Sequence, residues 1–452
     1  MSSPQDYHGT LTKLLASRGN QVFDIHFLPE HFGDLLHEGT EIAISKKALV
    51  QCFCARSTTR ASCPQPTCNA SAHYPRSFPE DYSSQPLLLQ TEILLLLDSE
   101  HLTACNWRKR RLCALRDRRS QTPSSAAQYH SALHTEISFT TTILRSPLHR
   151  HTKSPVLWFH RKWTMIQLLA LCPDDPVAAF MGSHHLSHYD AEADADADAA
   201  TPTAATAAVD QIVNYEVSIV LQAGTHHPKN YSAFSYLREF MGLFAEALAA
   251  VRRRQATTIT VGQQQVDKWL GNLARMVLET VHTWCLTYSH RRDISAWSFL
   301  FWLLEVAWDA DADLDGDGDN ENVNTLRKKV VDKTARVGVE VSWDGEGLWI
   351  FVDLAMRKFG IDVDWLTRES RGGDLDDGQS QSTAPCLSSV GVGVGVGDVV
   401  VDDIDGPSTV SAPATGTPTP APCNKGWKLW IRRMKAAQER NNVTVVLNND
   451  NG

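Results

Sequence analysis

The chain is 452 residues long, 42% apolar and 8% aromatic, with a formal net charge of −9. It is long enough to bury a sizeable core, and it lacks the basic surplus expected of a general nucleic-acid binder. Much of the acid sits in two runs, AEADADADAA at 191–200 and DADADLDGDGDNEN at 309–322, and the remainder is near neutral or mildly basic. The N-terminal MSSPQDYHGTLTKLL has no basic-then-apolar leader pattern. The longest apolar run, Pro86 to Leu97, carries Gln90 and Glu92 and is too short to span a bilayer. Ten cysteines without even spacing read as reduced thiols, which points to a cytoplasmic protein.

Residues 1–50 are predicted to form an N-terminal helical segment, because Leu11, Leu14 and Leu15 recur at helical spacing. Leu35, Leu36, Ile42 and Ile44 extend its apolar content with a poorer helical period. Residues 51–85, rich in Ser, Pro, Thr and Cys, read as an irregular insertion. From 86 to 360 helical patterns dominate. His134 to Ser146 and Val156 to Cys172 are the first clear helices, punctuated by Pro147 and Pro155. Val209 to Gly224 pairs with Tyr231 to Arg254, and Val266 to His290 pairs with Ile294 to Trp308. Thr325 to Val341 and Gly345 to Gly360 close the series.

Linkers at 182–208, rich in His, Asp and Ala, and at 309–324, strongly acidic, interrupt these pairs. The composition of 361–452 predicts a mostly disordered region, with one short basic amphipathic helix over Lys425 to Asn442. Helix, short break, helix, then a longer gap is the pattern of an all-α superhelix of hairpin repeats, an α-solenoid. One hairpin cannot bury its apolar face alone.

Four segments share a register: TACNWRKRRL (Thr103 to Leu112), KSPVLWFHRKW (Lys153 to Trp163), KNYSAFSYLREF (Lys229 to Phe240) and DISAWSFLFWLL (Asp293 to Leu304). Each sets an aromatic residue near a helix start, namely Trp107, Trp158, Phe234 and Trp297. Arg110 and Arg161 follow their tryptophans by three residues, while Lys153 and Lys229 precede their aromatics by five. An aromatic there fills the gap between neighbouring hairpins. An arginine three residues on shares its face and reaches carbonyls or carboxylates next door. These residues read first as architecture.

The strings resemble the protein prenyltransferase alpha-subunit repeat, whose signature is K-N-Y-x-x-W-x-x-R, and HPKNYSAF is the most specific of them. The resemblance covers Leu88 to Leu304 and extends toward Phe359. It departs from the family in several places. The key positions lie 51, 76 and 63 residues apart, against a period of about 35 for related two-helix repeats. Leu102 stands at the first lysine place, Pro155 at the second tyrosine place, Phe234 and Leu237 at the third Trp and Arg places, and Leu300 at the last Arg place. The fit is closer to divergent alpha-subunit-repeat-containing proteins than to the standard alpha subunits.

The resemblance implies an alpha-type subunit that helps transfer farnesyl or geranylgeranyl groups to protein cysteines beside a beta subunit. Lys153 and Lys229 are then the catalytic candidates, and Asn230 and Tyr231 the diphosphate-binding ones. A cation or phenol aimed at a leaving diphosphate stabilises its developing charge. The plain alternative for both lysines is a solvated surface side chain. The implied partners are a prenyltransferase beta subunit, an isoprenoid diphosphate and protein substrates with C-terminal cysteines. The catalytic zinc is expected on the beta partner, with no metal or cofactor in this chain. The competing reading is a non-catalytic helical-repeat adaptor that binds other proteins.

Other motifs are weaker. The run from Asp311 to Asp317 opens like a calcium loop, but Asn322 or Asn324 stands where the bidentate carboxylate belongs. Cys52, Cys54, Cys63 and Cys68 lack paired zinc-knuckle spacing. The His-rich strings around His149, His151 and His160, and His184, His185 and His188, point to metal only faintly. The GVGVGVG tract at 391–397 lacks a following helix and is not a phosphate loop.

Overall fold

The computed structural model describes residues 7–49, 80–180, 202–255, 262–307, 323–363 and 365. The calcium-like run, the Cys52–Cys68 cluster, the glycine tract and the predicted helix at 425–442 lie outside them, as does nearly all of the 51–85 insertion. The chain divides into two units, Met1–Val337 with Gly345–Ile361, and Gly338–Asp344 with Asp362–Gly452. In the second unit the backbone N–H of Trp343 closes a turn on the carbonyl of Gly338 at 2.8 Å.

The first unit is mostly helical. It opens with α1 (Tyr7–Ser17), whose Leu11 and Leu15 are buried. Residues 1–50 are not helical throughout, because three strands follow: β1 (Asp24–Phe27), β2 (Leu35–Glu38) and β3 (Glu41–Ile44). β3 lies between β1, parallel to it, and β2, antiparallel to it. The apolar residues that fit no helical period alternate instead, so Ile25, Ile42 and Ile44 share the covered face. Gly39, at φ +57°, permits the tight β2–β3 turn.

The helices that follow are α2 (Gln85–Leu97), α3 (Leu102–Arg118), α4 (Pro123–Leu144), the single turn α5 (His149–Thr152), α6 (Pro155–Leu169), α7 (Pro202–His226), α8 (Tyr231–Gln255), α9 (Gly262–Leu286), α10 (Ile294–Val306), α11 (Val323–Glu340) and α12 (Glu346–Phe359). Helix α7 starts at Pro202, inside the segment predicted as a linker. Alanine and threonine from 202 to 208 extend a helix already favoured by the apolar run after it. Ser84, Thr122 and Ser154 start their helices by accepting the backbone N–H three residues on, each with a proline in the first turn.

Helices α3, α6, α8, α10 and α12 contact one another in succession and form one layer, while α4, α7 and α9 form a second layer against them. Counting from the cap residue makes the repeat explicit. The fourth residues after the caps are Cys105, Trp158, Phe234, Trp297 and Trp349, all buried. The sixth are Trp107, His160, Tyr236, Phe299 and Phe351, also buried. Three of the aromatic fourth residues meet the sixth residue of the next repeat. Trp158 lies 5.2 Å from Tyr236, Phe234 lies 5.5 Å from Phe299, and Trp297 lies 5.1 Å from Phe351, at interplanar angles of 37°, 38° and 38°. Such pairs contribute about 0.5–1.5 kcal/mol each beyond the area they bury.

This register corrects the sequence reading of the first repeat. His101 caps α3 through Nδ1, which accepts the N–H of Ala104 at 3.1 Å. The pair equivalent to Trp158 and Arg161 is therefore Cys105 and Arg108. Trp107 occupies the sixth place, and Arg110 is exposed. Two residues turn a helix by roughly 200°, which points Arg110 away from the next hairpin. A fifth repeat also emerges in α12, with Trp349 at the key place.

Candidate functional site

The site grows from the turns that precede α6 and α8. Asn230 caps α8 by accepting the N–H of Ala233 at 3.2 Å, and its Nδ2 donates to the carbonyl of Thr152 at 2.7 Å. The same carbonyl accepts Trp158 Nε1 at 2.7 Å. Asn230 is 1% exposed and both ends of its amide are engaged. It is therefore a tie between repeats, not the diphosphate ligand that the sequence suggested.

That tie brings the lysine-bearing turns together, because Lys153 follows Thr152 and Lys229 precedes Asn230. Lys153, half-buried, ends the turn of α5. Lys229 is exposed and sits at φ +62°, a left-handed conformation unusual for a lysine. Its backbone N–H donates to Asp293 Oδ2 at 3.1 Å, and Asp293 also caps α10. The next repeat thus fixes the strained backbone and leaves the ammonium in solvent. Tyr231, 60% exposed, stands beside it.

Two histidines that the sequence reading did not assign to this site join it. The rings of His149 and His227 lie 4.8 Å apart, edge to face. His227 Nε2 hydrogen-bonds the carbonyl of Pro147 at 3.0 Å. Burial holds the His227 pKa below the usual histidine value, and the nearby charges of His149, His226 and Lys153 push the same way. The recurring signal was the basic string before each helix, HRHTK and THHPK. The ammonium groups of Lys153 and Lys229, set at neighbouring turns, suit an anion with several oxygens.

Beside these turns an open cleft of about 300 Å³ runs between α6 and α8. Its lining includes Phe159, Tyr231, Lys162 and Glu239, over a floor of Trp158 and Tyr236. Phe159 is 56% exposed. Lys109 and Lys162 lie over its ring at 4.5 and 5.0 Å from the centroid, and Lys162 also pairs with Glu239.

Of the predicted repeat residues, Trp107, Trp158, Arg161, Phe234 and Trp297 are buried in the packing, while Arg110 is exposed. Arg161 is wholly buried: Nε and Nη2 donate to Glu216, and Nη1 donates to the carbonyl of Ile137 and to Thr140 and Thr141. Tyr236 adds its hydroxyl to Glu216 at 2.6 Å. In the repeat before, Arg108 donates to both oxygens of Glu136 at 2.6 and 2.7 Å, and His160 lies 2.6 Å from Oε1. Burial alone would raise the Glu136 pKa, but the Arg108 charge, followed by the His160 hydrogen bond and charge, holds it well below the usual carboxylate range. Leu237 and Leu300 fill the arginine place with fully buried apolar side chains.

The segment Val213–Phe244 holds the end of α7, the Lys229 turn and the first half of α8, including Glu216, Asn230, Phe234 and Tyr236. Residues 213–244 match the protein prenyltransferase alpha subunit repeat. No curated protein matches the chain. The prenyltransferase-type repeat therefore contains one of the two predicted catalytic lysines and one strut of the interrepeat network. Cys105 and Cys285 are unsuited to nucleophilic chemistry, since burial pushes the first thiol up to about 12 and the second well above its ordinary value. Among the described residues no group of three or more His, Cys, Asp or Glu is placed to hold a metal ion. No described helix is long and apolar enough to cross a membrane.

Proposed function

We propose that the chain is an alpha-type subunit of a protein prenyltransferase that places Lys153, Lys229 and Tyr231 against an isoprenoid diphosphate held jointly with a beta subunit. One observation carries this reading. The Asn230–Thr152 bond sets two lysine turns side by side, and Lys229 keeps a strained backbone while its side chain faces solvent. Such strain costs about 1–3 kcal/mol, is held here by the Asp293 hydrogen bond, and clusters at active sites and ligand clamps. The matched repeat at 213–244 contains that turn.

In this reading the lysines and the Tyr231 hydroxyl stabilise charge that builds on the departing diphosphate. The zinc that activates the acceptor thiolate belongs to the beta subunit, and cysteine-ending protein substrates approach from that side. The test is co-expression with a prenyltransferase beta subunit, followed by transfer assays with labelled farnesyl and geranylgeranyl diphosphates. Equal recovery of both chains, with transfer that falls in Lys229→Ala while the complex stays intact, is the expected result. Full transfer in that variant would remove Lys229 from the chemistry.

A second reading, a non-catalytic adaptor, is favoured by the cleft with its exposed Phe159 and Tyr231. Failure of any beta subunit to co-purify, together with a protein partner whose binding is lost in Phe159→Ala, would establish it.

A further inference from the structure

We propose that His130 and His134, with the backbone carbonyl of Ala179, form a binding site for a divalent transition-metal ion of the zinc class. The two histidines stand four residues apart on α4, on one face of the helix. Their Nε2 atoms are 3.1 Å apart, and the rings meet edge to face with centroids at 4.4 Å. An ion at the usual zinc–imidazole distance of about 2.0–2.1 Å from each nitrogen subtends an angle of about 100°, close to tetrahedral. The carbonyl oxygen of Ala179 lies 3.4 Å from His130 Nε2 and also hydrogen-bonds His134.

Protons alone serve these three atoms poorly. A neutral ring nitrogen either donates or accepts. Whichever Nε2 carries a single proton, the other nitrogen turns a lone pair toward the carbonyl oxygen. If both nitrogens carry protons, the two N–H groups confront each other. A cation receives a lone pair from each atom and resolves all three contacts.

The surroundings suit a ligand set. His134 is 2% exposed. His130 is half-buried and gives access from solvent. No further His, Cys, Asp or Glu side chain among the described residues completes a set of three. This site is separate from the lysine turns and does not depend on the prenyltransferase reading.

The test uses the full-length chain, stripped with a chelator and titrated calorimetrically with Zn²⁺ alone. The expected result is a site weakened about tenfold or more in His130→Ala. Because His130 is partly exposed, that variant should keep the wild-type far-UV spectrum. Zn²⁺ should raise the melting temperature of the wild type and not of His130→Ala. Binding should survive replacement of His184, His185 and His188 by alanine. Unaltered binding in His130→Ala would overturn the proposal. So would loss of binding only in the triple variant, or no binding at all, which would leave a simple histidine–histidine hydrogen bond.

Discussion

Arg161 and Glu216 share a two-pronged ion pair, with hydrogen bonds of 3.1 and 2.6 Å, between side chains only 0% and 2% exposed. Removing one partner strands a charge in a medium that cannot solvate it. Arg161→Ala should therefore cost about 3–5 kcal/mol, read as a lower urea midpoint. A triple replacement with Met at 161, Leu at 216 and Phe at 236 should recover most of that loss, because no unpaired polar group remains.

The first-repeat register makes a sharp contrast between residues two apart. Arg108→Ala leaves Glu136 without its two short hydrogen bonds and should cost about 3–5 kcal/mol. Arg110 is exposed, so Arg110→Ala should change stability by no more than about 0.5 kcal/mol. Equal effects in denaturant titrations would refute the register.

In the proposed prenyltransferase reading, backbone strain and chemistry separate at Lys229. Glycine adopts φ +62° without the clash a Cβ brings. Lys229→Gly should leave stability unchanged or raise it by up to about 1 kcal/mol, while lowering prenyl transfer as much as Lys229→Ala does. A variant that melts higher yet transfers less would show that the side chain, not the fold, is what the reaction loses.

Acid should weaken the fold through buried neutral histidines. Burial lowers the His151 and His282 pKa values to about 4, against about 6.5 in an unfolded chain. Between those values the unfolded state binds more protons. Stability is thus fully present above about pH 6.5 and falls as pH drops toward 4, by up to about 1.4 kcal/mol per pH unit for each histidine. Urea midpoints measured from about pH 7 to pH 5 should show this decline, and His151→Gln should flatten it.

The repeat architecture was legible where side chains carry period and punctuation together. Pro155 after Ser154, and Asn230 before an apolar helix, mark their helices without ambiguity. The first repeat misled because Trp107 imitates the key residue, whereas the cap that sets the phase is His101, a residue type seldom read as a cap. The β-strands were obscured because four-residue strands carry too few residues to outweigh a helical prior set by Leu11 and Leu15. At the site, Lys229 was visible in HPKNYSAF and Lys153 in KSPVLWFHRKW, but the burial of Asn230 and the meeting of His149 with His227 depend on contacts across about 78 residues of chain, which no local string reports.

The cap residues do more than start helices. Ser154 Oγ donates to the carbonyl of Ser99 at 3.0 Å, Asn230 to that of Thr152, and Asp293 accepts the N–H of Lys229. The three first-layer helices α6, α8 and α10 are thereby indexed to the start of their predecessors rather than to the chain that joins them. Insertions between hairpins can then lengthen, shorten or change composition without shifting the phase of the stack, so unequal spacing in this sequence is compatible with an even ladder in space.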